Sequence, residues 1–247
     1  MYLRSAFISL SALAVTAREL PKDEEAGARL YDSGIKHMNN IALKEETFAR
    51  QEAAGAYESS QYAEIADVVT CSNGTAEVGS DSFKCSNIDL LHFLPHSDLG
   101  SVRGFGSSSW GWTSADGREF VAIGQSDGAA FAEISTEGKL IYLGRLPHAS
   151  VPSNWREIRS HNDFVIIGSE AQGHGIQIFD WKKLLDIDPA KPVTFDKIKD
   201  LVGYYDKLPS GRTHNVVTNP DGDYIYSVGA QPRTDACKMA TYTMLSV

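Results

Sequence analysis

The sequence predicts an all-β fold: a partial β-propeller of about two and a half four-stranded antiparallel blades, preceded by an N-terminal helical segment. Three observations support this fold class. From residue 107 onward, short apolar runs alternate with turn residues. A segment of 15 residues recurs three times without gaps, ending at Gly124, Gly168 and Gly229. The earlier part of the chain instead has the apolar spacing of an amphipathic helix.

The composition is that of a globular protein. Of the 247 residues, 42% are apolar and 22% are charged, which is enough apolar material for a core and excludes disordered and collagen-like chains. The 32 acidic residues outnumber the 23 basic ones, giving a formal net charge of −9. Such a charge repels nucleic-acid phosphates and anionic lipids, so we expect no nucleic-acid partner.

Residues 1–17 have the features of a secretory signal peptide. Arg4 supplies a positive charge, Ser5–Val15 is a short apolar stretch, and small residues lead up to Ala17. The stretch is about half the roughly 20 residues that span a bilayer, and no later segment would serve, so we expect no transmembrane anchor. A buried N-terminal helix is the alternative. We expect a secreted protein of the extracellular space or cell wall.

Residues 18–66 are predicted to form a helical leader. Leu30, Met38, Ile41 and Phe48 are spaced roughly as one face of a helix, with polar residues between them. Such a helix could bind a partner or pack against the following domain. We favour packing, which is the ordinary use of an amphipathic helix.

Residues 67–106 are the predicted disulfide loop and lead-in. In an oxidising compartment, Cys71 and Cys85 can close a short loop, with 13 residues between them. Asn73 begins the chain's one N-glycosylation sequon, Asn-Gly-Thr, inside this loop. Cys237 is then unpaired, which predicts an intermolecular bridge, a free thiol, or a partner in sequence that this chain lacks.

The repeat divides the remaining residues into blades at 107–147, 151–208 and 212–247, the last incomplete. In each copy an apolar run, a turn and a second run predict two antiparallel strands. Third runs follow at Ala130–Ser135 and Gly175–Asp180, and a fourth at Leu140–Leu146. Lys182–Leu208 is an excursion within the second blade. Four strands in about 45 residues are typical of a propeller blade.

Propellers usually have at least four blades, so this arc would end on unpaired strands. Open strand edges pair readily with other chains. We therefore expect either self-association through the blade edges or a longer natural protein.

Four runs in the repeat region support a family assignment: Trp155–Ile158, Ser169–Ala171, Gly173–Asp180 and His214–Val217. In this order, within residues 60–237, they resemble the LVIVD-repeat or choice-of-anchor B family of secreted fungal and bacterial proteins. The resemblance implies a β-propeller and no particular reaction. It also implies further blades, so the chain is expected to be truncated at its C-terminus, with the partner of Cys237 in the missing part.

His174 and His214 are the candidate ligand-binding residues. His214 begins the inner strand of the third blade, where it could face the central channel. His174 lies between two glycines, which permit close approach of a ligand. A divalent metal is the one cofactor they suggest, but zinc needs three or four converging ligands, which the sequence does not provide. We therefore assign no cofactor, no metal ligands and no catalytic residues.

Gly124–Gly128 matches the G-x-S-x-G motif of serine hydrolases. That motif requires a strand followed by a helix, whereas the run after Gly128 has the composition of a strand. A β-turn between two strands is the better interpretation.

The predicted function is that of a secreted propeller serving as a binding or scaffold module for an extracellular protein or glycan. One alternative is an extracellular hydrolase or metal-dependent enzyme with a channel site around His174 and His214. Another is a nonfunctional truncated gene product. We favour binding because repeated blades present loops without needing a catalytic set.

Overall fold

The computed structural model describes residues 23–229 except Val102, Pro220 and Asp223. The predicted signal peptide, Cys237 and the last ten residues lie outside this range. The described residues divide into two compact units, one ending at Leu43 and the other beginning at Lys44. In the described part, no helix is long and apolar enough to cross a membrane.

The α-helices of the described residues lie in the N-terminal segment. Helix α1 spans Glu24–Gly27 and is capped by Asp23, whose Oδ1 accepts a 2.8 Å hydrogen bond from a backbone N–H of the first turn. A π-helical turn follows at Ala28–Asp32, and helix α2 spans Ile35–Ala53. From Lys44 onward, α2 belongs to the second unit.

The end of α2 packs on the β-structure through one aromatic residue of the predicted leader. The ring of Phe48 lies edge-on to Phe105 at 5.6 Å and to Trp155 at 5.5 Å between centroids. Edge-to-face contacts at this separation are favourable. Phe48 of the predicted leader therefore packs against the following domain.

Strands predominate over helices in the described residues, in 13 strands and four largely antiparallel sheets, as the predicted all-β class requires. The first sheet is a pair of strands, β1 (Thr75–Val78) and β2 (Asp81–Lys84). The second begins as an antiparallel meander of four strands: β3 (Gly106–Thr113), β4 (Glu119–Gln125), β5 (Gly128–Ile134) and β6 (Leu140–Pro147).

The next sheet repeats this pattern with three consecutive strands: β7 (Arg156–His161), β8 (Phe164–Ser169) and β9 (Ile176–Asp180). The predicted excursion after β9 serves both sheets. Its β10 (Val193–Thr194) pairs in parallel with β6, and its β11 (Gly203–Tyr205) pairs antiparallel with β9. A last hairpin is formed by β12 (Asn215–Thr218) and β13 (Ile225–Val228).

The main core lies between the two larger sheets. Phe131 of β5 and Phe179 of β9 stack with ring centroids 4.8 Å apart, and both contact Phe195 after β10. Trp181 meets Phe131 edge-on at 5.9 Å. All but Phe195 are wholly buried. Aromatic packing of this kind joins residues that are distant in sequence into one hydrophobic core.

The first strands of successive sheets lie side by side. The Ser107 hydroxyl of β3 donates to the Arg156 carbonyl at 2.9 Å and accepts from the Arg156 N–H at 3.1 Å. The Thr218 hydroxyl of β12 donates to the Ser160 carbonyl of β7 at 3.2 Å. Side-chain hydroxyls therefore link β3, β7 and β12 across the gaps between sheets.

Two glycines of the repeat lie at close contacts between strands. A Cβ on Gly124 would lie 3.5 Å from the Cβ of Arg156 in β7, and 2.9 Å from the Ser108 carbonyl oxygen. A Cβ on Gly168 would lie 2.7 Å from the Cγ2 of Thr213 and 2.8 Å from the Cγ1 of Val216 in β12. At Gly168 the segment that begins the next sheet occupies the space that a side chain would need, whereas at Gly124 the tight contact is with β3 of the same sheet and the next sheet is in ordinary contact.

Gly168→Ala is expected to lower the free energy of unfolding by about 1–3 kcal/mol, the usual cost of an overpacked interior. The control is Gly111→Ala in β3, where the nearest atom to a new Cβ is the Phe120 oxygen at 3.4 Å. Denaturant unfolding of both variants measures the difference. Equal stability of the two variants would contradict close packing at Gly168.

Candidate functional site

Residues 64–93 form one long, interrupted β-hairpin, here named the hairpin ribbon. Its outer part is held by the pairs Ile65–Phe93 and Val69–Leu90, and its inner part by β1 and β2. The backbone N–H and carbonyl groups within each outer pair bond to each other at 2.9–3.1 Å. A two-stranded ribbon has little core of its own, so it needs further stabilisation.

A disulfide supplies part of that stabilisation. Cys71 and Cys85 are bridged with their Cα atoms 5.9 Å apart, as predicted from their spacing. The N–H of Cys71 donates to Asp89 Oδ1 at 2.7 Å. Asn73 and Gly74 then turn the chain with φ angles of 52° and 81°. Asn73 is exposed, as an acceptor of a glycan must be.

The base of the ribbon is attached to the turn between β5 and β6. His92 Nδ1 accepts a 3.1 Å hydrogen bond from the Leu140 N–H, so Nε2 carries the proton that His92 donates to Glu64 at 3.0 Å. The Lys139 ammonium donates to the Ala66 carbonyl. These bonds fix the two ends of the ribbon to the sheet. Strands β1 and β2 lie between those ends in the sequence.

One face of the ribbon carries an apolar hollow of about 340 Å³. Its lining combines residues from both strands, and several of them are exposed: Phe83 by 52% and Ile88 by 71%. The other apolar lining residues are Ile65, Val69, Ala76, Val78, Cys85 and Leu90. Ligand sites begin at about 300 Å³ and are mostly apolar with few polar groups, a description that this hollow fits.

A second depression, the acidic cleft, runs along the first strand of the ribbon. It has a volume of about 690 Å³, and every lining residue lies between Glu64 and Gly79. Three carboxylates line it: those of Glu64, Asp67 and Glu77. Glu77 accepts from the Ser82 hydroxyl at 2.9 Å, whereas Asp67 makes no hydrogen bond within the described residues. The cleft can therefore receive positive charge.

A buried polar cluster lies where the first two larger sheets meet, around Arg156 at the start of β7. Arg156 is only 3% exposed. Its Nε donates to the Gln125 carbonyl at 2.7 Å, its Nη2 to the Ser126 carbonyl at 3.2 Å, and its Nη1 to His174 Nε2 at 2.8 Å. Burial lowers the pKa of Arg156 to about 10.

The candidate ligand residue His174 belongs to this cluster and is wholly buried. Because Arg156 can only donate, Nε2 of His174 accepts and its Nδ1 donates to the Gly175 carbonyl at 3.0 Å. Burial, aided by the charge of Arg156, lowers the pKa of His174 to about 3. Both ring nitrogens are occupied and the ring is neutral at physiological pH, so His174 stabilises the fold in this arrangement.

The other candidate, His214, is exposed and pairs through Nδ1 with the Glu170 carboxylate. His174 and His214 share no hydrogen-bond partner among the described residues. Within those residues, no group of three or more histidine, cysteine, aspartate or glutamate side chains is placed to hold a metal ion.

Ser126 of the G-x-S-x-G match lies in the two-residue turn between β4 and β5. The turn is followed by a strand, as the turn interpretation requires. Its hydroxyl is buried without a hydrogen-bond partner among the described residues. No helix follows to create the exposed elbow that a nucleophilic serine needs.

Sequence reasoning missed Arg156 and the acidic cleft. A single arginine within a predicted strand does not indicate that its side chain is buried. Burial depends on which carbonyl groups the fold places around the guanidinium group. The alternation of apolar and acidic residues around β1 was available as a signal, because Ala76 and Val78 flank Glu77.

Comparison of the chain with protein families, curated proteins and solved structures finds no match.

Proposed function

We propose that this protein is a secreted binding module that captures an extracellular partner on its hairpin ribbon. The main observation behind this proposal is the exposed apolar hollow on one face of the ribbon. Exposed apolar patches with polar surroundings are typical of interaction sites, because burying them against a partner removes apolar surface from water. The acidic cleft beside the hollow supplies that polar surrounding.

The architecture we propose for the remainder is a partial propeller of about two and a half blades, in the manner of the LVIVD-repeat family. Two observations support it. The larger sheets are consecutive meanders, and β3, β7 and β12 lie next to one another. The repeat glycine Gly168 admits the next sheet, because Thr213 and Val216 occupy the space of a side chain there. The sheets would thus act as a scaffold that holds the ribbon.

Secretion is part of the same proposal. The Cys71–Cys85 bridge is of the kind that forms and persists in oxidising compartments. The exposed turn at Asn73 presents its sequon to the glycosylation machinery of the secretory pathway.

Binding of the neutral apolar dye Nile red tests the proposed role of the hollow. We expect the dye to bind the native chain with enhanced fluorescence, and Ile88→Ser to weaken this binding several-fold because it removes an exposed wall of the hollow. Ile198→Ser is the matched control, since Ile198 is also exposed, by 41%, but lies outside the ribbon. Equal dye binding by both variants would exclude the hollow as the binding site.

A further inference from the structure

The first strand of the hairpin ribbon has an open edge. Ile65 and Val69 direct their backbone N–H groups inward, to the carbonyls of Phe93 and Leu90. Between and beyond them, the backbone groups of Val68 and Thr70 make no hydrogen bond with any described residue, and Val68 is 51% exposed. Unpaired backbone groups along a strand are a template for the addition of another strand.

The acidic cleft lies along this same strand. All of its lining residues come from Glu64–Gly79, and none comes from the second strand of the ribbon. A chain that pairs with Val68 and Thr70 would therefore lie in or beside the cleft. The open edge and the cleft are independent observations, since one concerns backbone groups and the other concerns space.

The charge of the ribbon selects the partner. Residues 64–93 contain five acidic residues and one lysine, a formal charge of −4 with histidine neutral. The acidic residues are Glu64, Asp67, Glu77, Asp81 and Asp89. A second copy of this chain, with its net charge of −9, would be repelled, whereas a cationic segment would be attracted.

The linings of the hollow and the cleft define the composition of the partner. Ala76 lines the hollow, Glu77 lines the cleft, and Val78 lines both. The cleft combines its carboxylates with apolar residues, among them Val68 and Val69. Successive side chains of a strand point to opposite faces. A strand added at this edge would therefore meet both acidic and apolar side chains, which favours alternating basic and apolar residues of its own.

We propose that the hairpin ribbon binds an extended peptide segment of alternating basic and apolar residues, which adds as a third strand at Val68–Thr70. This inference rests on the proposed binding role of the ribbon and names its partner class. Backbone hydrogen bonds along the edge provide affinity, while the alternating side chains provide selectivity. In this arrangement lysine or arginine side chains lie near Asp67 and Glu77, and apolar side chains contact the apolar residues that line the cleft and the hollow.

Three synthetic peptides of equal length test the proposal against the whole purified chain. The first alternates lysine with valine, the second alternates glutamate with valine, and the third is the lysine peptide with N-methylated backbone amides on its pairing edge. We expect the lysine peptide to bind in fluorescence anisotropy titrations and to bind more weakly as ionic strength rises. The glutamate and N-methylated peptides should bind at least about tenfold more weakly. The first lacks the positive charge, and the second lacks the backbone N–H donors of its pairing edge.

A pair of variants locates the site. Asp67→Asn with Glu77→Gln should weaken lysine-peptide binding about three- to tenfold, the effect of two exposed ion pairs. Glu119→Gln with Asp186→Asn removes the same charge from outside the ribbon and serves as the matched control. Equal loss in both double variants would overturn the assignment of the cleft, leaving only nonspecific attraction to an acidic protein.

The remaining outcomes separate this inference from the proposed function. Undiminished binding of the N-methylated peptide would overturn strand addition. Failure of the lysine peptide while Nile red still binds in an Ile88-dependent manner would overturn the partner class but keep the ribbon as a binding site. Failure of both probes would overturn both. Self-association that is abolished by Val68→Pro would replace the cationic segment by a second copy.

Discussion

Acidification from about pH 7 to about pH 4 is expected to destabilise this protein strongly, with His174 as a main cause. In the unfolded chain His174 takes up a proton near its ordinary pKa of 6.5, whereas burial lowers its pKa in the fold to about 3. Between these values the unfolded state binds a proton that the folded state does not. Stability from this residue is therefore complete above about pH 6.5 and is lost as pH falls.

The expected size follows from the pKa difference. Each pKa unit corresponds to about 1.4 kcal/mol, and the loss accumulates from about pH 6.5 down to about pH 4, so His174 contributes on the order of 3 kcal/mol to it. His96 and His148 add to it in the same direction, because burial lowers the pKa of each.

The measurement is the free energy of unfolding by denaturant at a series of pH values for the parent and His174→Gln. Glutamine can still accept a hydrogen bond from Arg156, but it does not titrate. The variant should show a distinctly flatter dependence on pH. His214→Gln replaces an exposed histidine by the same residue, so a flattening of equal size in that control would refute the assignment to His174.

Phe131→Ala is expected to lower the free energy of unfolding by about 3–5 kcal/mol, as for other large aromatic residues in well-packed cores. Phe131 is wholly buried in β5 and stacks on Phe179 of the neighbouring sheet with a 15° angle between ring planes. It also touches Trp181 and Phe195 edge-on. Its removal leaves a cavity between the two larger sheets and weakens both.

The matched control is Phe83→Ala. This residue is also a phenylalanine, but it lies on the ribbon and is 52% exposed. Its effect on stability should be below about 1 kcal/mol, because little apolar surface returns to water. Denaturant unfolding monitored by tryptophan fluorescence reports on both variants, since Trp181 is part of the affected core. A loss at Phe83 as large as that at Phe131 would contradict the placement of the core between the sheets.

Local patterns in the sequence were sufficient for the strands that pair with their neighbours along the chain. The run predicted at Ala130–Ser135 corresponds to β5 at Gly128–Ile134, and the bridge between Cys71 and Cys85 was expected from spacing and compartment. The repeat glycine at Gly168 was visible as a pattern, and the structure adds its cause: a strand of the next sheet passes there.

Features that depend on distant segments were not predictable. Strand β10 consists of two exposed residues, Val193 and Thr194, with no periodicity to identify it. It pairs with β6 because Gly144 has no side chain there: a Cβ would lie 2.1 Å from the Val193 carbonyl oxygen. The open edge at Val68 was equally hidden, since an edge is defined by which strands are present on either side of it.

Strands β10 and β11 come from one segment but join different sheets, and this arrangement has a consequence for biosynthesis. The outer edge of β6 is covered only after residue 194 has left the ribosome, by which time β7, β8 and β9 have already been translated. Until then the outer edge of β6 is unpaired. Unpaired edges of this kind allow nascent β-proteins to form non-native strand pairs with other chains. The two sheets therefore mature together, and a nascent chain that stalls before β10 would leave the outer edge of β6 unpaired.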